Sequence, residues 1–402
     1  MVNMKMVFII TAALLGGCVG GDDNQDPPST IKNAKDVPLD GLSAADVARF
    51  KLGDELFDLP FRAPDGLGPY FIRSSCGACH SEGSRGPGLV QKMAIVEADG
   101  ITASADQSAL PYGHTLRTGL TAGAMTPLTA PQLPNVLVSI RLGPPVFGRG
   151  YLEAIEDAEI LRVAGEQAQR GDAIHGVVPM STFASVSSGD GYSSYQLGDP
   201  VIGRFGVKAR VATLDDFTAD AFQGDMGMTT PMRPTELANP DNLTDDQRAG
   251  VDLDQEHVDK VAFYLRRIAI PKRLNLPERG PALFDQVQCS GCHVPAMHTR
   301  ADYPIEQLRD IDAPVYTDLL LHDMGDALAD GMVDGGADSR AWRTAPLIGL
   351  RFSPMLYLHD GRAASVTDAI LQHAGEAQAA ADAFRALSPA DQDILVAFVE
   401  AL

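Results

Sequence analysis

The chain has 402 residues, which is length enough for two or three domains, and its hydrophobic content of 45% is that of an ordinary globular protein. Its formal net charge of −21 argues against nucleic acid or an anionic membrane surface as a partner, because like charges repel. The same charge permits a basic protein partner, although an acidic surface also serves solubility.

The N-terminus has the pattern of a bacterial lipoprotein signal. Lys5 supplies a positive charge, and residues 7–15 form an apolar segment too short to span a bilayer stably. Small residues precede Cys18, and a stretch rich in Asp, Asn and Pro follows it. We therefore predict a signal peptide over residues 1–17, a lipidated Cys18 and a flexible tether over residues 18–38. An ordinary signal peptide with a chance cysteine is the alternative.

A first helix is predicted to begin at Ser43. The Ser is followed three positions later by Asp46, which is the pattern of a helix N-terminus. The expected apolar face of this helix consists of Val47, Phe50, Leu52, Leu56 and Phe57. Residues 95–147 are rich in turn-forming residues and have weak helix signals, so we predict short strands there.

Four more helices are predicted along the rest of the chain. One runs from Gly148 to about Ala168, and another covers Thr213–Phe222. A capping pattern at residues 244–247 precedes apolar residues at helical spacing from Val258 to Ile268. The last helix begins at Ser388, with a proline at its first position.

The sequence Cys-x-x-Cys-His occurs twice, at residues 76–80 and 289–293. This is the attachment pattern of c-type haem, in which two thiols one helical turn apart reach the porphyrin vinyl groups and the adjacent His lies under the iron. A disulfide switch needs no following His, and a zinc site needs four neighbouring ligands, whereas the two copies are 213 positions apart. Gly-x-x-Leu-Phe precedes each copy, which indicates a weak internal repeat.

We therefore predict two covalently bound haem c groups in two domains, at residues 39–272 and 273–402. The attachment and proximal residues are Cys76, Cys79, His80, Cys289, Cys292 and His293. With Cys18 these account for all five cysteines, so none remains for thiol chemistry. Because haem c is attached in the periplasm, we expect a periplasmic protein that is lipid-anchored to a bacterial membrane, with the outer membrane preferred.

Five further blocks occur in a fixed order between and after the haem motifs. They are Ile202–Gly206, Asp225–Thr229, Asp318–Gly325, Trp342–Leu347 and Tyr357–Arg362. Together with both haem motifs they resemble the di-haem oxidoreductase family, once labelled thiol oxidoreductases, over nearly the whole mature chain. The C-terminal half more distantly resembles bacterial di-haem cytochrome c peroxidases and the di-haem enzyme that matures methylamine dehydrogenase. The resemblance implies a mainly α fold, with two cytochrome-c-like haem domains, loop-rich insertions and a few short strands.

The resemblance also implies axial ligands for the second iron. In the peroxidase relatives a sixth ligand follows a His-x-Gly motif at a fixed distance, and fourteen positions after His359 stands His373. The relatives carry Met or Tyr at that place. A His there implies a bis-His second haem, with a lower potential than a His/Met pair. A helix-surface histidine is the alternative reading, and Met355 and His359 are competing ligands.

The first haem is then the reactive one, and peroxide cleavage there needs an acid–base group. The relatives use a Glu before Met-Gly, where this chain has Asp225, and Glu153 is the alternative acid. Either carboxylate is equally explained by a helix cap or an ion pair. His359 is expected between the haems or at a haem propionate, and it completes the catalytic candidates.

Other residues of these blocks have expected roles near the cofactors. His322 and Arg362 are expected at haem or its propionates, because Arg suits a carboxylate. Trp342 is the only Trp, and it is either a core aromatic or an electron-hopping site. The Trp that bridges the haems in the peroxidases is absent at Val146–Arg149, which weakens the case for a peroxidase-type electron route.

The favoured function is reduction of hydrogen peroxide at the first haem, with electrons relayed through the second. The electrons would come from a small periplasmic donor protein or from an oxidisable protein substrate. The alternatives are a di-haem electron-transfer cytochrome without peroxidase activity and a redox or haem-iron partner of an uptake system. High-spin iron at the first haem would distinguish an enzyme from a carrier.

Overall fold

The computed structural model describes residues 37–80, 88–121, 123–185, 191–243, 250–352 and 356–402. The predicted signal peptide, Cys18, the tether up to residue 36, the capping pattern at residues 244–247 and Met355 lie outside these ranges. None of the described helices is both long enough and apolar enough to traverse a bilayer.

Helices are the main regular elements, and they make up 32% of the chain. The α-helices of the described residues are α1 (Ala44–Asp58), α2 (Arg149–Ala154), α3 (Asp157–Ala168), α4 (Leu214–Met226), α5 (Gln255–Arg267), α6 (Gly280–Gln286), α7 (Val366–Leu371), α8 (Gln378–Ala386) and α9 (Pro389–Glu400). Short 3-10 helices cover Ala63–Asp65, Cys289–Gly291, Glu306–Leu308, Asp326–Leu328, Leu350–Phe352 and Gly375–Ala377.

The strands are few and short, as predicted. They are β1 (Tyr70–Phe71), β2 (Leu89–Ile95), β3 (Gly119–Leu120), β4 (Val136–Leu142), β5 (Met180–Thr182), β6 (Pro200–Ile202), β7 (Met297–His298), β8 (Asp312–Ala313), β9 (Leu321–Asp323) and β10 (Ala341–Arg343). All pair antiparallel, in the two-stranded sheets β1–β3, β2–β4, β5–β6, β7–β8 and β9–β10. The longest is the β2–β4 ribbon, of which β4 lies in the predicted turn-rich region over residues 95–147 and β2 precedes it.

The first helix begins where the sequence predicts. The Ser43 hydroxyl accepts a hydrogen bond from the Asp46 N–H, which satisfies a free backbone donor of the first turn. Helix α1 packs against α5, and a Cβ on Gly53 would lie 2.5 Å from the Lys260 carbonyl oxygen. Phe50 is buried in this contact, but Leu52 is 53% exposed because it lies about 100° around the helix from the packed face.

The predicted helix over residues 148–168 is two helices, α2 and α3. At Ile155 the backbone becomes extended and forms an isolated bridge with Thr299. The Glu156 N–H then donates to the His298 carbonyl oxygen at 3.3 Å, and α3 begins. The break therefore comes from pairing with a distant segment, which local helix spacing does not encode.

The two largest hydrophobic clusters of the described residues form the main cores. The larger core includes α4 and α5 together with Met297, Val315 and Ile348, so it contains residues from both sides of the predicted boundary at 272/273. The smaller core lies within residues 283–402 and includes α6 and α9. Helix α9 begins after Ser388, whose side chain accepts from the Asp391 N–H, which confirms the predicted start. A Cβ on Gly280 would lie 2.5 Å from the Phe398 Cβ, which shows how closely α6 and α9 approach.

Candidate functional site

Each Cys-x-x-Cys-His motif forms a single helical turn. The His80 N–H donates to the Cys76 carbonyl oxygen at 2.9 Å, and the His293 N–H donates to the Cys289 carbonyl oxygen at the same distance. All four cysteines of the motifs are free thiols. Two thiols one turn apart with the His beside them are the arrangement that thioether attachment of a haem requires.

The second motif opens into the larger of the two cavities that the haem motifs line, which has a volume of about 230 Å³. Cys289, Cys292 and His293 line it, and His373 lines it as well. His373 lies two residues beyond the end of α7, rather than on the helix as expected. The structure therefore brings the candidate sixth ligand into the same cavity as the proximal histidine.

In His293 and His373, two of the four histidines that line this cavity, hydrogen bonding at Nδ1 leaves Nε2 free to bind iron. The Nδ1 atom of His293 lies 3.1 Å from the Tyr316 carbonyl oxygen, and that of His373 lies 2.7 Å from the Ala369 carbonyl oxygen. A carbonyl accepts, so each Nδ1 carries the proton and each Nε2 keeps a lone pair. Burial lowers the pKa of His293 to about 4, and burial also lowers the pKa of His373. Both are neutral at pH 7, which is the metal-binding form.

The first motif opens into the smaller cavity, which has a volume of about 90 Å³ and is lined by Cys76, Cys79, His80, Asp225 and Met226 among others. Burial and the charge of Arg149 lower the pKa of His80 to about 4. Its Nδ1 atom is buried and has no hydrogen-bond partner among the described residues. A Cβ on Gly143 would lie 3.1 Å from the His80 Cε1, so glycine lets the backbone pass close to this ring.

Asp225 is half-buried near the C-terminal end of α4 and lines the smaller cavity. Burial raises the pKa of its carboxyl group to about 6, against the opposing effect of the Lys92 charge. A carboxyl group with such a pKa exchanges protons near neutral pH, as an acid–base catalyst must.

Glu153 is placed differently. Its carboxylate pairs with Arg266, whose Nε lies 2.6 Å from Oε2. It also accepts from the Tyr303 hydroxyl at 2.7 Å and from the Leu214 N–H at 2.7 Å. Glu153 lines neither cavity. These contacts match the ion-pair reading that the sequence left open beside the catalytic one.

His359 lines the larger cavity, where its imidazole stacks on the Trp342 indole at a centroid distance of 3.6 Å. Its backbone carbonyl accepts from the Leu142 N–H at 2.6 Å. Burial lowers the pKa of His359 to about 4. The structure thus brings His359 to the wall beside the second motif and not into the cavity that contains Asp225.

His322 lies between two carboxylates beside the second motif. Its Nε2 is 2.9 Å from Asp318 Oδ2, and its Nδ1 is 2.7 Å from Glu376 Oε2. Burial alone would lower the pKa of His322, but its hydrogen bonds to Asp318, Cys292 and Glu376 raise it to about 12. Donor atoms of Cys292, Asp318 and His322 lie within 4.8 Å of one another, yet a metal ion there would occupy the thiolate that haem attachment needs.

Arg362 lines neither cavity, since its guanidinium pairs with Asp360 and donates to the Ala327 carbonyl oxygen at 2.6 Å. Sequence reasoning did not identify the pairing of His322 with Glu376, because these residues are 54 positions apart. The spacing of Asp318 and His322, four positions apart, was the available signal. Sequence reasoning also did not identify Arg149 and Arg343, which line both cavities.

The residues therefore fit two haem groups. Each cavity contains a thiol pair and a neutral histidine, which are the groups that covalent attachment and proximal ligation of a haem would need. The larger cavity adds a second neutral histidine, and the smaller one adds a carboxyl group that titrates near pH 6. Haem-binding walls are mostly apolar, as are both cavities here.

Comparisons with solved structures gave low similarity. Hydrazine synthase of Kuenenia stuttgartiensis is 12% identical with 100% of both chains covered and a TM-score of 0.38. The diheme peroxidase BthA of Burkholderia thailandensis is 16% identical, with 88% of this chain and 85% of that chain covered and a TM-score of 0.36. A variant of BthA matches with the same identity and coverage and a TM-score of 0.38.

A comparison with curated proteins found no match. A family model described as "Di-haem oxidoreductase, putative peroxidase" matches residues 129–402, which include the second haem motif and all five further blocks. The first motif precedes the matched region. Because the match covers more than half of the chain, the protein belongs to the di-haem oxidoreductase family, which implies two haem groups, and it is a di-haem peroxidase-like oxidoreductase.

Proposed function

We propose that this protein carries two covalently bound haem c groups, one in each cavity, and that it reduces hydrogen peroxide at the first. His80 and His293 are the proximal ligands, and His373 is the sixth ligand of the second iron. The two groups lie in haem domains that correspond to residues 39–272 and 273–402. Electrons reach the first haem through the second, from a small donor protein or from an oxidisable protein substrate.

The observation that supports this proposal is the difference between the cavities. The larger cavity contains two neutral histidines whose Nε2 atoms are available to one iron. In the smaller cavity His80 is the only histidine among the described lining residues, and the half-buried carboxyl group of Asp225 is present instead. One iron with two imidazoles and one with a single imidazole match a relay site and a reactive site.

When bound, a haem with a free axial position supplies an iron that binds peroxide and provides electrons for its reduction. Asp225 would accept a proton from one oxygen of the peroxide and return it to the other oxygen, which leaves as water. Two electrons from the donor and two protons from solvent would convert the remaining oxygen into a second water. The apolar wall around Asp225, which includes Phe205 and Phe217, limits the access of bulk water to this exchange. Burial keeps the pKa of Asp225 near the working pH, so the same group acts as base and then as acid.

A second candidate function is electron transfer alone. Met226 is buried and lines the smaller cavity, and a thioether is a competent sixth ligand for haem iron. If Met226 ligates the first iron, both irons are six-coordinate, and the protein is a di-haem cytochrome without peroxidase activity.

Optical and EPR spectra of the purified holoprotein separate the two functions. The spectra are recorded in the oxidised and half-reduced states, with and without hydrogen peroxide. We expect one high-spin and one low-spin iron, with only the high-spin signal altered by peroxide. Two low-spin signals that peroxide does not change in either redox state would contradict peroxidase activity. Loss of a thioether–iron band in Met226→Leu would then support the electron-transfer function.

Covalent attachment has its own test. Denaturing gels stained for haem should show haem on the wild-type chain and about half as much on a variant with both Cys289→Ser and Cys292→Ser. Haem that separates from the wild-type chain on denaturation would contradict attachment. The peroxide result would then stand independently, because it depends on the iron and not on the thioethers.

We also propose that the chain is exported to the periplasm and anchored by a lipid on Cys18, with the outer membrane as the preferred site. The supporting evidence is the order of charged, apolar and small residues before Cys18. Cell fractionation of wild type and Cys18→Ser tests the proposal. Wild type should sediment with membranes and the variant should be released, whereas equal sedimentation would contradict a lipid anchor.

A further inference from the structure

The two cavities share part of their walls. Pro144, Pro145, Arg149 and Arg343 line both of them. The prolines belong to the segment that follows β4, and the two arginines come from α2 and β10. The shared wall therefore joins the two halves of the chain and carries two guanidinium groups.

Arg343 is held firmly in this wall. Its backbone N–H donates to the Val207 carbonyl oxygen at 3.0 Å, and its Nε donates to the Gly206 carbonyl oxygen at 3.0 Å. Its Nη1 donates to the Thr344 carbonyl oxygen at 2.8 Å. Gly206 lines the smaller cavity and Val207 lines the larger one. The guanidinium is thus fixed at the boundary by backbone acceptors.

Arg149 is held beside it in a similar way. Its Nε donates to the Pro145 carbonyl oxygen at 2.7 Å, and its Nη2 contacts the same oxygen. Arg149 and Arg343 are each only 7% exposed. Both guanidinium groups are therefore buried in the wall between the cavities, and a buried charge such as that of Arg343 is costly unless an anion accompanies it.

Arg343 differs from other buried cations of this protein in its partners. Arg266 pairs with Glu153, and Lys208 pairs with Asp330. No carboxylate of the described residues lies within ion-pair distance of Arg343, whose bonded acceptors are backbone carbonyls. Burial lowers the pKa of Arg343 to about 10, so it stays charged at pH 7. A carboxylate supplied by the prosthetic group would balance this charge.

Haem carries two propionate carboxylates, which neither the thioether bonds nor the axial ligands use. A guanidinium binds a carboxylate through parallel N–H groups, and the geometry is rigid. We propose that Arg343, with Arg149 beside it, forms a shared carboxylate-binding site for propionates of both haems. The proposal rests on the proposed haem occupancy of the two cavities and not on peroxidase activity.

The other candidates for this role are less suitable. His322 already lies between two carboxylates, Asp318 and Glu376. Arg362 lines neither cavity and pairs with Asp360. A consequence of the shared site is that one fixed positive charge acts on both irons. It stabilises the reduced, more negative state of each, so both midpoint potentials depend on it.

The test begins with haem content, measured as pyridine haemochrome, in wild type, Arg343→Gln, Arg343→Lys and Arg340→Gln. Arg340 is the control because it pairs with Asp326 and lines neither cavity. Wild type without haem would refute the proposed occupancy itself. With haem present, spectropotentiometric titration then gives the midpoint potential of each haem.

We expect Arg343→Gln to lower both midpoint potentials, Arg343→Lys to lower them less because the charge is kept, and Arg340→Gln to leave both unchanged. Full haem content with both potentials unchanged in Arg343→Gln would overturn the proposal. A shift at one haem alone would overturn the shared site. If Arg343→Gln does not fold, the propionate bending bands in resonance Raman spectra of wild type and Arg343→Lys decide, and identical bands would reject the contact.

Discussion

The imidazole of His359 lies against the indole of Trp342, with ring centroids 3.6 Å apart and ring planes 17° from parallel. The ammonium of Lys208 lies 4.1 Å from the centroid of the same indole, and Trp342 Nε1 donates to the Leu328 carbonyl oxygen at 3.0 Å. A buried cation beside the ring disfavours removal of an electron from it. The contacts therefore favour a packing role for Trp342 over an electron-hopping role.

The stack predicts a stability effect at His359. His359→Ala should lower the free energy of unfolding by about 1 kcal/mol, because it removes one ring of a stacked pair. His359→Phe should restore most of this loss, since a ring remains in place. Chemical denaturation of the holoproteins measures both values, and equal stability of wild type and His359→Ala would contradict an energetic role for the stack.

The raised pKa of the Asp225 carboxyl group predicts how peroxide reduction depends on pH. Its carboxyl group must be ionised to accept a proton, so kcat/KM should fall as the pH drops through about 6, which is its raised pKa. Asp225→Asn should lower kcat/KM by at least ~100-fold, while Asp312→Asn, which alters an exposed carboxylate paired with His298, should not. Unchanged kinetics in Asp225→Asn would remove this residue from the mechanism.

The same substitution should stabilise the fold. Burial raises the folded-state pKa of Asp225 from 3.8 to about 6, so the folded protein binds more protons than the unfolded chain between these values. Stability is therefore lost as pH rises through this window, by up to about 3 kcal/mol above pH 6. Asp225→Asn should recover part of that loss at pH 7 and little at pH 3. A destabilised variant at pH 7 would show that the charged carboxylate is well compensated.

His373 predicts the spin state of the second iron. His373→Ala should convert a low-spin EPR signal into a high-spin one, because the iron loses its sixth ligand. His373→Met should keep a low-spin iron and raise its midpoint potential, since a thioether favours the reduced state. The control His257→Ala alters a histidine of α5 that bonds Asp254 and lines neither cavity. An unaltered spectrum in His373→Ala would assign the sixth position to another residue.

The buried contacts of Glu153 predict that replacing it lowers the free energy of unfolding. Glu153→Gln weakens the hydrogen bonds of the buried Arg266 and of Tyr303, while Arg266 keeps its ion pair with Asp215, so the free energy of unfolding should fall by roughly 1–3 kcal/mol. Glu256→Gln breaks the exposed pair with Lys260 on α5 and should have a much smaller effect. Denaturation curves of the two variants measure this difference. Near-wild-type stability in Glu153→Gln, together with lost turnover, would favour a catalytic role instead.

Local sequence patterns predicted the parts of this protein that local forces determine. The starts of α1 and α9 follow from Ser43 and Ser388, whose hydroxyls accept bonds from backbone donors three residues ahead. The two haem motifs were predicted because their chemistry requires a fixed spacing within one turn. The position of His373 came from family resemblance, and the cavity it lines agrees with that expectation.

Contacts between distant segments could not be predicted in this way. Glu153 and Arg266 are 113 positions apart, and no periodicity links a carboxylate on α2 to a guanidinium on α5. The break after α2 depends on pairing with Thr299, and the shared wall depends on the approach of Arg343 to Gly206. Each of these contacts depends on the tertiary fold, because packing brings together residues that are far apart in the sequence.

The position of Trp342 makes the protein a reporter of its own assembly. It is the only Trp in the chain, and it lines the cavity proposed for the second haem. Haem quenches indole fluorescence by energy transfer at such short range, so Trp342 in the holoprotein should show very little fluorescence under ultraviolet excitation. A chain that has folded without its second haem should show strong Trp342 fluorescence. Insertion of the second haem can therefore be followed as the loss of this fluorescence.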